Sequence, residues 1–305
     1  MTVFSERIGG WDDWGGVFRS VPAFAPLVES ILRREGLPPA RIENLAPGTN
    51  AVFRAGDYAV KVYAPAESGM DRTDGPQTEL FAVRRAGTLG VSAPKLIAGG
   101  FVEDRYRFAY MIMEYIDGVA FTEAVKTMSG AEKTEFGRKL RAITDRMNTP
   151  CERFNTADPL DGGDRDRRWE PYPGRFRAER LSRVQSRDYG EKVFVHGDLC
   201  GDNILLTPGG GLCLIDFADA ALAPVEYEHA LVAVELFGLD PALLRGYFGD
   251  YSVAGLTEVC FGGLLIHEFG GGVVASRVGR PDTFQTLGDL RERLRERIER
   301  GCDAW

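Results

Sequence analysis

A chain of 305 residues with 44% hydrophobic side chains holds enough apolar material for one large domain or a two-lobed protein with a sizeable core. Its 45 acidic and 37 basic residues give a formal charge of −8, which argues against general binding of nucleic acid or anionic membrane and is compatible with a cationic ligand, although many such charges serve solubility alone. Five scattered cysteines (Cys151, Cys200, Cys213, Cys260 and Cys302) show no metal-ligand pairing and read as free thiols in a reducing compartment.

The opening MTVFSERIGG lacks a basic-then-apolar signal pattern, and no apolar run is long enough to span a bilayer. A cytoplasmic location is the expectation. Phe24, Leu27, Val28, Ile31 and Leu32 then recur at helical spacing until Gly36 and Pro38 stop the helix. Trp11, Trp14 and Phe18, ahead of that helix, are expected to cover the N-terminal part. Pro47-Gly48-Thr49-Asn50 is turn chemistry, and Ala51–Arg54 and Tyr58–Tyr63 read as a hairpin turning near Gly56-Asp57. In its second strand Val60 and Val62 share one face and Lys61 takes the other.

Pro76 suits the first turn of a further helix, on which Glu79 and Val83 stand one turn apart. Strand-like runs follow around Lys95–Ala98 and Tyr106–Tyr115, and a turn signal at Asp117-Gly118 marks a boundary. Two lobes are therefore expected, 1–116 and 117–305. Beyond the boundary, Ser129 and Glu132 read as a capping box before a stripe of Phe136, Leu140, Ile143 and Met147. Residues 149–174, rich in Pro, Gly and charge, read as a mobile loop or a substrate-binding insertion carrying Asp158, Asp161, Asp164 and Asp166. A strand at Val193–Val195, a loop, a hairpin over 204–215 and several helices complete the chain. The last carries an apolar stripe of Leu287, Leu290, Leu294 and Ile298.

The chemistry is concentrated in His196-Gly197-Asp198-Leu199-Cys200-Gly201-Asp202-Asn203 and in Ile215-Asp216-Phe217. Phosphoryl transfer needs a group that orients the attacking hydroxyl and takes its proton, and hard oxygens that hold Mg²⁺ against nucleotide phosphates. An Asp on a loop directly after a strand suits the first need. An Asn five positions later and an Asp on the following hairpin suit the second. Lys61 on a strand, with Glu79 on the next helix to hold its ammonium, is the arrangement that meets nucleotide phosphates.

These segments resemble the aminoglycoside phosphotransferase and choline kinase family, over residues 42–235. The family shares the protein-kinase fold: two-lobed α+β, a small antiparallel-sheet N-lobe and a larger, mainly helical C-lobe, with ATP and Mg²⁺ between them. The resemblance implies Asp198 as the catalytic aspartate, Asn203 and Asp216 as Mg²⁺ ligands, Lys61 as the phosphate-binding lysine and Glu79 as its anchor. It also implies that Pro47–Phe53, with Thr49 and Asn50, covers the nucleotide, and that the backbone from Glu114 to Ile116 meets the adenine. Phe194–Asn203, Ile215–Ala220, Glu226-Tyr227-Glu228 and Leu265–Phe269 are most similar to the hygromycin phosphotransferase branch. The chain lacks a Gly-x-Gly-x-x-Gly covering loop and an Ala-Pro-Glu segment, which separates it from the protein kinases.

The acceptor implied is a small molecule, in the first place a cationic aminoglycoside bound by carboxylates. Asp202, Asp219, Glu226, Glu228 and Glu268 are the candidates in or after the catalytic segment, with Asp161, Asp164 and Asp166 in the insertion. Glu228 has a competing role, bracing the loop after Asp216 against the next helix. His196 is expected to hold the catalytic loop by hydrogen bonds, and His229 and His267 to be packed rather than catalytic.

Overall fold

The computed structural model describes residues 2–45, 48–70, 75–161 and 164–302; the side chains of Asp164, Arg165 and Cys302 also lie outside the description, as does Pro47 at the head of the expected covering loop. The chain divides into two compact units, Met1–Thr88 with Ala93–Asp117, and Leu89–Ser92 with Gly118–Trp305.

The first unit opens with two helices, α1 (Trp11–Val17) and α2 (Val21–Arg34). Ser20 caps α2 by accepting the Ala23 N–H, and Pro22 stands in its first turn, where a missing N–H costs nothing. Its apolar stripe (Phe24, Leu27, Val28 and Ile31) is fully buried in one core with Phe53, Val60, Phe108 and Ile112. Those partners come from a five-stranded antiparallel sheet of β1 (Ile42–Asn44), β2 (Ala51–Ala55), β3 (Tyr58–Val62), β4 (Leu96–Glu103) and β5 (Arg107–Glu114), ordered β1-β2-β3-β5-β4. β2 and β3 meet in a two-residue turn, with Ala55 opposite Tyr58 and Gly56 at positive φ (64°), as the twist of a tight hairpin favours. Between β3 and β4 the chain forms α3 (Gly75–Thr88).

Trp14 is fully buried against Phe24 and Phe18 is nearly so, but Trp11 is 47% exposed. The expectation that all three cover the unit holds for two. Trp11 sits at the first position of a seven-residue helix whose inward positions are taken by Trp14 and Val17.

The second unit begins with β6 (Val119–Ala120), α4 (Phe121–Ala124) and α5 (Gly130–Met147). Ser129 and Glu132 form the reciprocal capping box at the head of α5. Phe136, Leu140 and Met147 are buried as the stripe predicts, but Thr144 takes the inward place expected of Ile143, with its hydroxyl 2.8 Å from that of Tyr247. The stretch after α5 includes the single turn α6 (Asp164–Arg167) and is pinned from both ends. Asn155 donates to the Ala220 carbonyl, while Trp169 and Tyr172 are buried against Phe176 of α7 (Gly174–Ser186).

Next come β7 (Lys192–Val195), the hairpin β8 (Ile204–Leu206) and β9 (Leu212–Leu214), and β10 (Ala221–Pro224), which pairs antiparallel with β7. The helices α8 (Val225–Leu231), α9 (Pro241–Phe248), α10 (Val253–Ile266), α11 (Gly270–Val273) and α12 (Leu287–Cys302) fill the rest. α8 runs on into a π-helical turn at Val232–Leu236, and α11 into another at Val274–Val278. α5 and α9 touch at two glycines: a Cβ on Gly246 would stand 2.1 Å from the Thr134 carbonyl oxygen, and one on Gly137 2.5 Å from that of Leu243. Among the described residues no helix is long and apolar enough to cross a membrane.

Candidate active site

In the first unit, strand alternation sends Val60 and Val62 into the core and Lys61 to the opposite face of β3. Its ammonium lies 2.6 Å from Glu79 Oε2 on α3, which also accepts the Tyr63 hydroxyl at 2.7 Å. Glu79 is fully buried and the Lys61 side chain 5% exposed, so the two charges sit in a medium where an unpaired ion is costly. In the turn before β2, Trp14 Nε1–H donates to the Thr49 carbonyl and Asn50 Oδ1 accepts from Ala64 N–H, so both residues are tied to their neighbours. After β5, the Glu114 and Tyr115 N–H groups are committed to the Lys95 and Asp57 carbonyls. A base meeting this segment would therefore use Ile116 before either of those two amides.

In the second unit, the antiparallel pair β7 and β10 ends with Val195 opposite Ala221, so the loops at 196–203 and 215–220 emerge side by side. His196, fully buried, joins them. Its Nδ1 accepts from Asp198 N–H at 3.3 Å, which makes Nε2 the protonated nitrogen facing the Ile215 carbonyl at 3.0 Å. Its ring packs on Phe217, and burial drives its pKa down to about 4, so it stays neutral.

Gly197 has φ 86°, and a Cβ there would fall 2.0 Å from the Asp219 carbonyl oxygen. Gly197→Ala should therefore lower stability by about 3 kcal/mol or more, combining a left-handed backbone penalty with a backbone clash. Chemical denaturation would measure it, and a loss under about 1 kcal/mol would show that the loops part freely.

Asn203 Nδ2 donates both to the Asp198 carbonyl (2.9 Å) and to Asp198 Oδ2 (3.0 Å), and the Ile215 N–H returns to the Asn203 carbonyl (3.0 Å). Asp216 stands in the left-handed region at φ 60°, ψ 68°, uncommon for a residue with a side chain and typical of functional turns. Burial first, then the charges of Asp219 and Asp216, push the Asp198 pKa up to about 7, against the pull of the Asn203 hydrogen bond. Magnesium suits such a place, because it takes one or two side-chain oxygens and completes its shell with water and phosphate. With Nδ2 spent on Asp198, Asn203 keeps Oδ1 as the ligating atom. Among the described residues no three His, Cys, Asp or Glu form a metal cage.

The described acceptor candidates differ in their surroundings. Asp219 is half-buried beside Asp198, and Asp202 is exposed. Glu226 is committed to Arg187 at 2.8 Å and Glu268 faces Arg168 at 3.4 Å. Asp161 is exposed, and Asp166 pairs with Arg180 at 2.6 Å.

Glu228 must be withdrawn from that group. It is fully buried, with Oε2 accepting the His196 and Gly197 N–H groups (2.7 and 3.1 Å) and Oε1 accepting Asn148 Nδ2 (3.0 Å). It braces the loop before Asp198, whereas the competing expectation had it bracing the loop after Asp216. Burial raises its pKa to about 7 and the three donors oppose that shift. Asn148, which also donates to the Phe194 carbonyl, is a part of this brace that the sequence did not reveal. His267 stacks on Tyr227, and His229 meets the edges of Tyr247 and Phe248, both packed as expected.

The chain matches the phosphotransferase enzyme family over residues 48–261, and it belongs to that family. No curated protein matches it in sequence. Several solved structures share its fold. Choline kinase LicA from Streptococcus pneumoniae is 16% identical with a TM-score of 0.57, over 92% of this chain and 99% of that one. An ADP-bound aminoglycoside phosphotransferase, APH(2″)-Ib, is 15% identical with a TM-score of 0.56, over 90% and 99%. A choline/ethanolamine kinase family protein from Mesorhizobium loti is 20% identical with a TM-score of 0.53, over 87% of each chain. The α+β architecture, with an antiparallel N-terminal sheet and a mainly helical C-terminal part, is that of small-molecule kinases.

Proposed function

We propose that the chain is an ATP-dependent O-phosphotransferase that moves the γ-phosphoryl group of ATP to a hydroxyl of a small molecule, with an aminoglycoside of the hygromycin type as acceptor. The observation that carries the chemistry is the Asp198 carboxylate, half-buried, fixed by Asn203 and with the charges of Asp219 and Asp216 felt at it. Asp198 orients the acceptor hydroxyl and takes its proton as the new P–O bond forms. Lys61, held by Glu79, meets the nucleotide phosphates. Asn203 and Asp216 would hold magnesium, which would supply positive charge to the nucleotide phosphates. The products are a phosphate ester and ADP, with the hydroxyl proton passing to Asp198 and on to solvent.

The hygromycin-type acceptor rests on the likeness of Phe194–Asn203 and Ile215–Ala220 to that branch. A second reading, a kinase of choline, homoserine, a sugar, a macrolide or another metabolite, is favoured by the equal fold similarity to choline kinase. ADP release from Mg·ATP, measured against aminoglycosides with hygromycin B, choline and simple sugars, separates them. Turnover on an aminoglycoside supports the first reading and turnover on choline or a sugar the second. Failure to bind nucleotide at all sinks both.

A further inference from the structure

The two π-helical turns of the second unit face each other. Glu235, on the first, receives a two-pronged ion pair from Arg277, on the second, at 3.0 and 2.8 Å. Such turns insert a residue into a helix and are common at functional sites. Beside this pair lies a cavity of about 260 Å³ lined by Val234, Gly238, Leu239, Ser276, Arg277 and Arg297. One of its walls is under backbone strain, because Leu239 has φ 63° directly after Gly238 at 56°.

Arg297 decides what the cavity can take. Of the arginines on α12, Arg291, Arg293, Arg295 and Arg300 each face a carboxylate. Arg297 faces none among the described residues, and its one hydrogen bond, to the Val278 carbonyl, is long at 3.4 Å. A half-buried guanidinium with a marginal partner lacks the charge-assisted bonds that favour such burial. Arg277 adds a second guanidinium and Ser276 a hydroxyl on the same wall. The volume falls below the 300–1,000 Å³ or so of drug-sized sites and suits a small ionic group.

We infer that this cavity is a binding site for a small oxyanion, a phosphate or carboxylate group, held by Arg297 and Arg277. Occupation would set the anion against Arg277, which also holds Glu235.

Calorimetric titration with inorganic phosphate tests the inference, run at matched ionic strength and repeated with ADP present so that binding at any nucleotide site is separated. Wild-type protein should bind phosphate in both cases. Arg297→Gln should weaken that binding about tenfold or more, the worth of a lost charge-assisted bond. Ser276→Asp, which places a like charge in the cavity, should abolish it, and circular dichroism would verify that both variants fold. Equal phosphate binding by wild type and Arg297→Gln, or none by wild type, overturns the inference. With binding established, displacement of phosphate by added acceptor in the same titration would assign the anionic group to an acidic acceptor. Phosphate binding unchanged at saturating acceptor would assign the site to a free anion.

Discussion

Asp198→Asn should reduce turnover by about 10²–10⁴-fold, the range associated with removing a positioned general base. Asparagine keeps an oxygen where Asp198 Oδ2 accepts from Asn203 Nδ2, so the loop geometry survives while the proposed proton acceptor is lost. The substitution also relieves a local excess of negative charge, since Asp216 and Asp219 both act against ionisation of Asp198. The variant should therefore unfold at the same or slightly higher denaturant concentration than the parent, and its affinity for Mg·ATP should stay within a few-fold. Single-turnover kinetics and nucleotide titration together check this. Undiminished turnover would remove Asp198 from the chemistry, and loss of nucleotide affinity equal to the loss of rate would make it a binding residue instead.

The second large effect concerns the buried pair in the first unit. Lys61→Met should destabilise that unit by about 3–5 kcal/mol, because it strips the cation from a carboxylate at Glu79 that has no exposure to water. Adding Glu79→Gln to the same protein should restore most of the loss, since the amide oxygen still accepts from Tyr63 while the orphaned charge is gone. Under the proposed function the double variant is folded and yet binds ATP weakly. Denaturant unfolding followed by nucleotide titration separates the two quantities. If Lys61→Met alone leaves stability unchanged, the pair is not desolvated in solution. If the double variant binds ATP normally, Lys61 has no part in holding phosphate.

What the sequence disclosed follows from how locally each feature is encoded. The hairpin of β2 and β3 carries its own turn residues, and α5 its own capping box. The loop at 196–203 combines an Asp and an Asn five positions apart, a spacing that needs no distant partner to be noticed. Other features exist only through pairing. β10 is four residues ending in a proline and has meaning only as the partner of β7. β1 is three residues long, and α1 carries Gly15 and Gly16 inside seven positions, a composition that argues against a helix until Trp14 is seen in the core.

The same limit applies at the site. Asp198 and Asn203 stood out, while Asn148 and Glu228 lie 80 positions apart and meet only in the folded chain. Glu235 and Arg277, 42 positions apart, depend on two π-helical turns whose register a 3.6-residue period cannot foresee. Carboxylate chemistry alone made Glu228 look like an acceptor ligand. Its burial, a property of the helix that carries it, removed it from that role.

The contact between α5 and α9 bears on the brace from a distance. Asn148 follows the last residue of α5, so its reach to Glu228 is set by where that helix lies, and the helix lies where Gly137 and Gly246 let it. A methyl group at either position has nowhere to go except between the two backbones. The cost would appear as a displaced amide at the far end of α5 as well as in the seam itself. Two absent side chains thus act as a spacer for a hydrogen bond several turns away, and the alignment of the loop at 196–203 is in part a matter of how closely two helices are permitted to touch.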